Sequence, residues 1–316
     1  MQSLNYIDLH CDTAYELFHQ GQPLEQNTLA VSLQGAKSYR HYAQFFAVWS
    51  DAALTDEQAY LDFLSITDHF TRELSCPAAS DRIKPVTTAA QLDECWSAGQ
   101  SAALLAVEDA RLLANDLDRL EVLADRGVKY LTLLWGGKSC IGGSHDTSDG
   151  LTDFGKAVVE GCFDLGIVPD VSHASELSTT QILDIAQRRG RPVIASHSDF
   201  FSVYPHSRNL REHHLRAICE LGGLIGLNLC REHLGQNASM TDVLAHLDYA
   251  LCHGAQHHIA MGGDLDGARL PVGFSTLQDV ANIAKEMQSR GFGSETVDQF
   301  FYQNAYRFIE HNFGQG

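Results

Sequence analysis

Short apolar runs alternate with longer stretches of helical composition along the 316-residue chain. Each run is short enough for a buried strand and is followed by polar or glycine-containing residues. The predicted strands are Tyr6–Asp12, Gln44–Trp49, Ala102–Glu108, Lys129–Trp135, Ile167–His173, Pro192–His197, Leu224–Leu229 and His258–Asp264. Alternation of such strands with helices implies a parallel sheet.

The segments between the strands predict helices. They include Asp56–Leu74, Leu117–Arg126, Phe154–Leu165, Glu176–Arg189, Glu212–Leu221 and Thr241–His253. About eight strand–helix repeats in roughly 300 residues favour an α/β fold of the (β/α)8 or TIM-barrel type over an open doubly wound sheet. No glycine-rich phosphate loop follows the first strand, as a dinucleotide-binding fold would require.

Residues that commonly begin or end helices support these boundaries. Thr152 and Ser175 are good N-caps for the helices that follow them, and Gly190 ends a helix after two basic residues. The glycine-rich segment 135–151 predicts a long loop at one end of the barrel. We expect one domain over residues 1–316, closed by a C-terminal helix at about 294–316.

Composition narrows the possible partners. The formal net charge of −18 argues against binding to nucleic acid or to anionic membranes. No apolar run approaches the roughly 18–20 residues of a membrane helix, and no signal peptide is visible. None of the eight cysteines forms a Cys-x-x-Cys pair. We therefore expect a cytoplasmic protein with free thiols.

Polar residues at the predicted strand ends carry the candidate chemistry. In a TIM barrel, side chains at the carboxyl ends of the strands face the active site. Here those ends supply three histidines and three carboxylates: His10, Asp12, Glu108, His173, His197 and Asp264. His10 and Asp12 lie two apart on one strand and can bind the same ion. Imidazole nitrogens and carboxylate oxygens suit zinc and similar divalent metals.

Charge counting favours two ions rather than one. Two divalent cations supply four positive charges, which Asp12, Glu108, Asp264 and one hydroxide balance. A single ion would leave uncompensated negative charge in a pocket of low dielectric constant. Paired ions of this kind need a bridging carboxylate and a bridging water, whose pKa they lower toward 7.

The residues alone leave some assignments open. Asp109 competes with Glu108, and Asp266 competes with Asp264. Asp266 is alternatively a residue that orients a ligand histidine. Asn228 ends the seventh strand and is a candidate for substrate contact or for a hydrogen bond at the barrel mouth. Trp49 is expected in the pocket wall.

Several stretches together resemble the membrane (renal) dipeptidase family of zinc metallopeptidases, its bacterial members in particular. They are Asp8–Asp12, Val107–Asp109, Tyr130–Leu133, Gly150–Gly155, Asp170–His173, Ser196–Ser198, Ser207–Asn209 and Gly262–Gly267. The resemblance covers nearly the whole chain. It implies a TIM-barrel dipeptidase of the metal-dependent amidohydrolase type.

The resemblance also implies two zinc ions per chain with Glu108 as the catalytic bridge between them. One ion would be bound by His10, Asp12 and Glu108, and the other by Glu108, His173 and His197. It assigns the substrate's C-terminal carboxylate to Arg208, and the planar fork of a guanidinium matches a carboxylate. Arg211 and Arg231 compete for this role, but we expect them at the surface. It makes Asp264 the catalytic acid and base beside the metals.

One position departs from the family pattern. Many members have a Thr-His pair after Leu-Thr-Leu, and that histidine helps bind the substrate or stabilise the oxyanion. Here the stretch continues Leu133-Leu134-Trp135-Gly136, so Trp135 is the expected substrate-binding residue at this point. An indole offers only its N–H. His145 is an alternative substitute for that histidine, and His206 is a candidate for the pocket lining.

We therefore expect a metal-dependent dipeptidase that attacks a small dipeptide with a hydroxide bridging two zinc ions. The resemblance extends this to dipeptides with a D-residue at the C-terminal position, and to a homodimer. The alternative is an amidohydrolase-type enzyme acting on a lactone, a cyclic amide or a phosphoester, since fold alone does not select a substrate.

Overall fold

The computed structural model describes residues 4–314. Nine strands lie within these residues. They are β1 (Asn5–Cys11), β2 (His41–Trp49), β3 (Ile83–Pro85), β4 (Ser101–Glu108), β5 (Val128–Thr132), β6 (Val168–Asp170), β7 (Ile194–Ala195), β8 (Leu224–Leu227) and β9 (Ile259–Met261). All pairings between these strands are parallel.

Helices surround the strands. The α-helices are α1 (Thr13–Gln20), α2 (Leu33–Ala36), α3 (Asp56–Ser75), α4 (Ala89–Ser97), α5 (Arg119–Asp125), α6 (Asp153–Leu165), α7 (Glu176–Arg189), α8 (Glu212–Glu220), α9 (Arg231–Leu234), α10 (Met240–Cys252), α11 (Leu277–Ser289), α12 (Ser294–Asp298) and α13 (Asn304–Asn312). A 3-10 helix covers Ala110–Leu113, and a π-helical turn covers Gln299–Gln303.

Eight of the strands close into a ring. The order runs β1-β2-β4-β5-β6-β7-β8-β9 and returns to β1 through the pairing of Asp8 with Met261. The predicted (β/α)8 barrel is therefore confirmed, and each of its eight predicted strands is present. The short β3 was missed because three residues ending in Lys84-Pro85 give no apolar pattern; it pairs only with the first residues of β4.

The core has two shells separated by the barrel wall. Alternate strand residues point inward or outward, as the period of two requires. Ile7, Phe45 and Leu104 belong to the inner cluster, whereas Tyr6, Phe46 and Val107 belong to the cluster under the helices. Phe308 and Phe313 join the inner cluster, so the C-terminal helix packs against barrel-lining side chains.

The C-terminal helix lies at the amino ends of the strands. The side chain of Asn304 donates to the carbonyls of Gln256 and Ile259, beside the start of β9. This leaves the opposite rim, at the carboxyl ends, free for a site. Of the predicted closing segment 294–316, residues 315 and 316 lie outside the described residues. The single-domain organisation stays a prediction.

Several predicted strands end earlier in the structure, among them the two that were expected to end in histidine. Ile167–His173 ends at Asp170, and Pro192–His197 is reduced to Ile194–Ala195. The physical reason is that the backbone N–H groups of Ser172 and Ser196 donate to the Asp170 carboxylate instead of to a strand ladder. His173 and His197 therefore follow the strands rather than ending them.

The predicted caps are present. The hydroxyl groups of Thr152 and Ser175 accept from the backbone N–H three residues on, and Gly190 ends α7 with a left-handed φ of 59°. The predicted loop after residue 135 connects β5 to α6. All eight cysteines are free, and Cys252 is exposed. Across residues 4–314, the helices are too short or too polar for a bilayer-spanning segment.

Close backbone contact between strands gives a stability prediction. A Cβ on Gly226 would overlap the carbonyl oxygen of Ser196, whereas a Cβ on Gly293 would meet nothing within 4 Å. We expect Gly226→Ala to lower the free energy of unfolding by about 3 kcal/mol or more, and Gly293→Ala by no more than about 1 kcal/mol. Urea unfolding measures both; equal losses would contradict the packing described here.

Candidate metal centre

The carboxyl ends of the barrel strands bring six polar side chains into one cluster. All six belong to buried or largely buried residues: His10, Asp12, Glu108, His173, His197 and Asp264. The cluster lies at the floor of a cavity of about 590 Å³ that opens at the rim of the barrel. Residues more than 250 positions apart in sequence meet there because the sheet closes on itself.

His10 is held so that one ring nitrogen faces the cavity. Its Nδ1 lies 2.9 Å from the hydroxyl oxygen of Tyr130, and that hydroxyl donates to the carbonyl of Leu9 at 2.7 Å. In the neutral ring the hydroxyl can therefore accept from Nδ1–H, so that the lone pair lies on Nε2. Nε2 lies 3.5 Å from Asp12 Oδ2 and 3.4 Å from Glu108 Oε2.

His173 and His197 have the same kind of support. Nδ1 of His173 lies 3.0 Å from the backbone carbonyl of Trp135, and Nδ1 of His197 lies 2.7 Å from Ser196 Oγ. Both Nε2 atoms face the cavity and lie only 2.9 Å apart. Burial lowers the pKa of each imidazole to about 4, so both rings are neutral at pH 7 and present lone pairs.

Glu108 lies between the two histidine groups. Its Oε2 faces His10, while its Oε1 lies 2.9 Å from Nε2 of His173 and 3.4 Å from Nε2 of His197. Burial alone would raise the pKa of Glu108, but the histidines hold it well below its usual range. The competing Asp109 faces away and pairs with Arg111 at 3.1 Å.

The cluster fits divalent cations. Two bare imidazole nitrogens at 2.9 Å repel each other unless a proton or a cation lies between them. Within residues 4–314, the buried Nε2 of His10 and Oδ1 of Asp12 have no hydrogen-bond partner. Burial and the charge of Glu108 raise the pKa of Asp12 to about 8, which a nearby cation would reverse. The donor set of nitrogen and carboxylate oxygen suits zinc.

Asp264 lies at the edge of this cluster. Its Oδ1 is 4.0 Å from Nε2 of His10, and its Oδ2 accepts from the Asn228 amide at 3.2 Å. Asp266, expected to orient a histidine, instead accepts from the Thr13 hydroxyl at 2.6 Å and from the backbone N–H of Ala30 at 2.6 Å. It fixes a neighbouring loop rather than a ligand.

Arg208 lines the cavity with its guanidinium beside His197. The residue is only 5% exposed, and its Nη2 donates to the His197 carbonyl at 3.3 Å. Burial lowers its pKa, while Asp264 and Glu108 oppose that effect. The competing Arg211 pairs with Glu176 at 3.0 Å and stacks on Phe201, so its charge is used outside the cavity.

Three aromatic side chains form part of the cavity wall. Trp135 packs on Trp49 with ring centroids 5.1 Å apart, and Tyr15 continues the wall at 5.0 Å from Trp49. Trp135 thus contributes a wall with its ring and a support for His173 with its backbone. His145 also lines the cavity; burial and the charge of Arg208 lower the pKa of this imidazole to about 4.

Some residues of the site were not foreseen. Tyr130 was missed because its hydroxyl acts across the barrel, which no local pattern shows. Cys230, Glu232 and His233 also line the cavity. They flank Arg231 on the short helix α9, which has too few residues to show a helical period.

Comparison with known proteins identifies one family. A family model described as membrane dipeptidase, peptidase family M19, matches residues 1–313. An uncharacterised Klebsiella pneumoniae protein is 25% identical over 74% of this chain and 90% of its own length. Dipeptidase tcpJ of Claviceps purpurea is 27% identical over 73% of this chain, but the match spans only 55% of that longer protein.

Solved structures agree. A metallopeptidase of family M19 described as dipeptidase AC superposes with a TM-score of 0.90 at 26% identity, covering 99% of both chains. A metallopeptidase from Rhodobacter sphaeroides gives a TM-score of 0.89 at 25% identity over 98% of this chain and 99% of its own. That protein was crystallised with a phosphinate mimic of the dipeptide L-Ala-D-Ala.

The protons held by the metal-free cluster give a test of cation binding. The pKa of Asp12 is raised to about 8 and that of His10 well above its usual value, so the metal-free cluster holds protons at pH 7 that a bound cation must displace. We expect net release of protons when Zn²⁺ is added at pH 7. Calorimetry in buffers of different ionisation enthalpy measures this; heats independent of the buffer would contradict the expectation.

Proposed function

Because the chain belongs to the membrane dipeptidase family of metallopeptidases, we propose that it hydrolyses dipeptides with two zinc ions. The observation that carries the proposal is the position of Glu108, with one carboxylate oxygen toward His10 and the other toward His173 and His197. A single buried carboxylate shared by two imidazole groups is the arrangement that a bridged pair of ions requires.

We assign the ligands as follows. His10, Asp12 and Glu108 would hold one ion, and Glu108, His173 and His197 the other. When bound, such a pair supplies a bridging hydroxide near pH 7 and a Lewis acid for the scissile carbonyl. Tyr130, Ser196 and the Trp135 carbonyl fix the imidazole rings through their Nδ1 atoms, so the Nε2 lone pairs need no reorientation.

Arg208 is proposed to bind the substrate's C-terminal carboxylate. It is a buried cation at the cavity wall, and a guanidinium pairs with a carboxylate through two parallel hydrogen bonds. Because Arg208 lies beside His197, a dipeptide bound in this way would have its C-terminal residue next to the proposed ion pair. The ligand of the Rhodobacter sphaeroides relative supports a dipeptide substrate, and we extend the proposal to a D-residue at the C-terminal position.

Asp264 is proposed to move the proton. Its Oδ2 is held by the Asn228 amide, and its Oδ1 points toward the cluster, 4.0 Å from His10 Nε2. A carboxylate in this place can take a proton from the attacking water and return it to the leaving amine. The left-handed φ of 53° at Asp264 turns the side chain from the strand direction into the barrel mouth.

We propose that Trp135 takes the place of the family's substrate-binding histidine. Its ring forms the cavity wall, so we propose that it contacts the substrate by packing. His145 is the nearby imidazole, held by Ser207 Oγ at 2.9 Å from its Nδ1. We also propose a cytoplasmic location from the free cysteines. The homodimer stays a prediction.

Two variants separate metal binding from proton transfer. We expect Glu108→Ala to abolish dipeptide hydrolysis and to lower the zinc content, because it removes the shared ligand. We expect Asp264→Asn to lower kcat by about 10²–10⁴-fold with the zinc content unchanged, because only the proton acceptor is lost. Turnover of a dipeptide panel and elemental analysis measure the two effects.

Wild-type protein before and after chelation is the control for both variants. Activity that survives complete metal removal would reject the mechanism. A wild-type protein that contains two ions, cleaves no dipeptide and hydrolyses lactones or cyclic amides would replace the proposed substrate with the alternative one.

The role of Arg208 is tested with a matched substrate pair. We expect Arg208→Gln to lower kcat/KM for a dipeptide by about 10²-fold or more, since a buried charge pair is worth about 2–5 kcal/mol. The amide of the same dipeptide has no carboxylate, so its slower hydrolysis should hardly change. Equal losses for both substrates would show that Arg208 does not bind the carboxylate.

A further inference from the structure

Asp8 is a fully buried carboxylate of β1 that does not line the cavity. Its Oδ1 accepts from two backbone N–H groups, that of His10 at 3.0 Å and that of Gly263 at 2.9 Å. Its Oδ2 accepts from the Tyr6 hydroxyl. Asp8 thus bonds to one proposed metal ligand and to the residue that precedes Asp264.

Asp170 is a second fully buried carboxylate, at the end of β6. Its Oδ1 accepts from the backbone N–H groups of Ser172 and Ser196, both at 2.9 Å. Its Oδ2 accepts from the hydroxyl groups of Thr132 at 2.6 Å and of Ser196 at 2.5 Å. Ser172 and Ser196 immediately precede His173 and His197.

The two carboxylates repeat one pattern. In each, a single Oδ1 accepts from the N–H two residues ahead on its own chain segment and from an N–H on the neighbouring segment. Asp8 in this way joins the ends of β1 and β9, and Asp170 joins the ends of β6 and β7. The segments so joined carry His10, Asp12 and Asp264 in one case, and His173 and His197 in the other.

These bonds change where the side chains point. The pairing of β1 with β2 shifts register between Asp8 and Cys11, so the strand carries an irregularity there. Such an irregularity re-aims the side chain that follows, and the N–H of His10 bonds to Asp8 at this point. At Asp170 the backbone leaves the strand, and His173 takes a left-handed φ of 67°.

The contact at Gly263 leaves little freedom. A Cβ at this position would lie 2.8 Å from Asp8 Oδ2, so glycine permits the approach of the two segments. Fully buried N–H groups require acceptors. Without Asp8, the N–H groups of His10 and Gly263 would each lose one, and the segments would have to move.

We propose that Asp8 and Asp170 are matched positioning residues, each fixing the ligands of one of the two ions. Asp8 sets the His10–Asp12 side together with Asp264, and Asp170 sets the His173–His197 side. This inference rests on the proposed two-ion centre but not on the identity of the substrate. Loss of one carboxylate should therefore weaken one ion selectively.

Calorimetric titration of the metal-free protein with Zn²⁺ tests the proposal. We expect two binding steps in the wild type. Asp8→Ala should weaken by about 10–100-fold the step that His10→Ala removes, and Asp170→Ala the step that His173→Ala removes. Asp8→Asn and Asp170→Asn keep a neutral acceptor, so each should show a smaller loss in the same step.

Asp279→Ala is the matched control. Asp279 also accepts from two backbone N–H groups, those of Ser275 and Thr276 at 2.9 and 3.0 Å, but it belongs to α11 and lies outside the metal centre. Its removal should leave both zinc steps unchanged. Circular dichroism checks that each variant is folded. If an alanine variant does not fold, the titration of the corresponding asparagine variant tests the proposal.

The outcomes separate two failures. Titrations of the Asp8 and Asp170 variants that match Asp279→Ala, or equal weakening of both steps in each variant, would overturn the proposal. A wild type that binds fewer than two ions would overturn it together with the two-ion centre. Selective losses in a protein that cleaves no dipeptide would reject the substrate assignment and leave the positioning roles supported.

Discussion

Glu108 is the residue on which the rest of the site depends. Its two oxygens divide the surrounding imidazoles into two groups, His10 on one side and His173 with His197 on the other. A carboxylate buried to this degree would ordinarily take up a proton. The neighbouring imidazoles keep its pKa low, and bound cations would do so more strongly. Every proposed step, from metal binding to proton transfer by Asp264, requires this carboxylate to stay ionised.

The closed barrel brings the residues around Glu108 together. The proposed ligands on β1, on β4 and after β6 and β7, and Asp264 after β9, are far apart in sequence, and only a closed ring brings all five carboxyl ends to one rim. The opposite end is filled by the inner core and α13, so the site opens on one side only. Buried hydroxyl and carbonyl groups then orient each imidazole, which makes the arrangement rigid before any ion binds.

Sequence reasoning reached the fold and the cluster because both have local signs. Strand–helix alternation is visible residue by residue, and polar residues at apolar run ends mark the rim. The features that it missed are contacts between residues far apart in the sequence. Tyr130 supports His10 from across the barrel, and the Asp170 carboxylate takes the N–H groups that would have lengthened β6 and β7. The residues alone did not separate Asp264 from Asp266, since a left-handed φ at both breaks the alternation that an extended chain would give.

The most direct measurement is the position of the metal itself. Anomalous diffraction at the zinc edge, from crystals grown with zinc, should show two peaks about 3.5–4 Å apart, one on each side of the Glu108 carboxylate. His10 and Asp12 should contact one peak, and His173 and His197 the other. A single peak, or two peaks that do not share Glu108, would contradict the account.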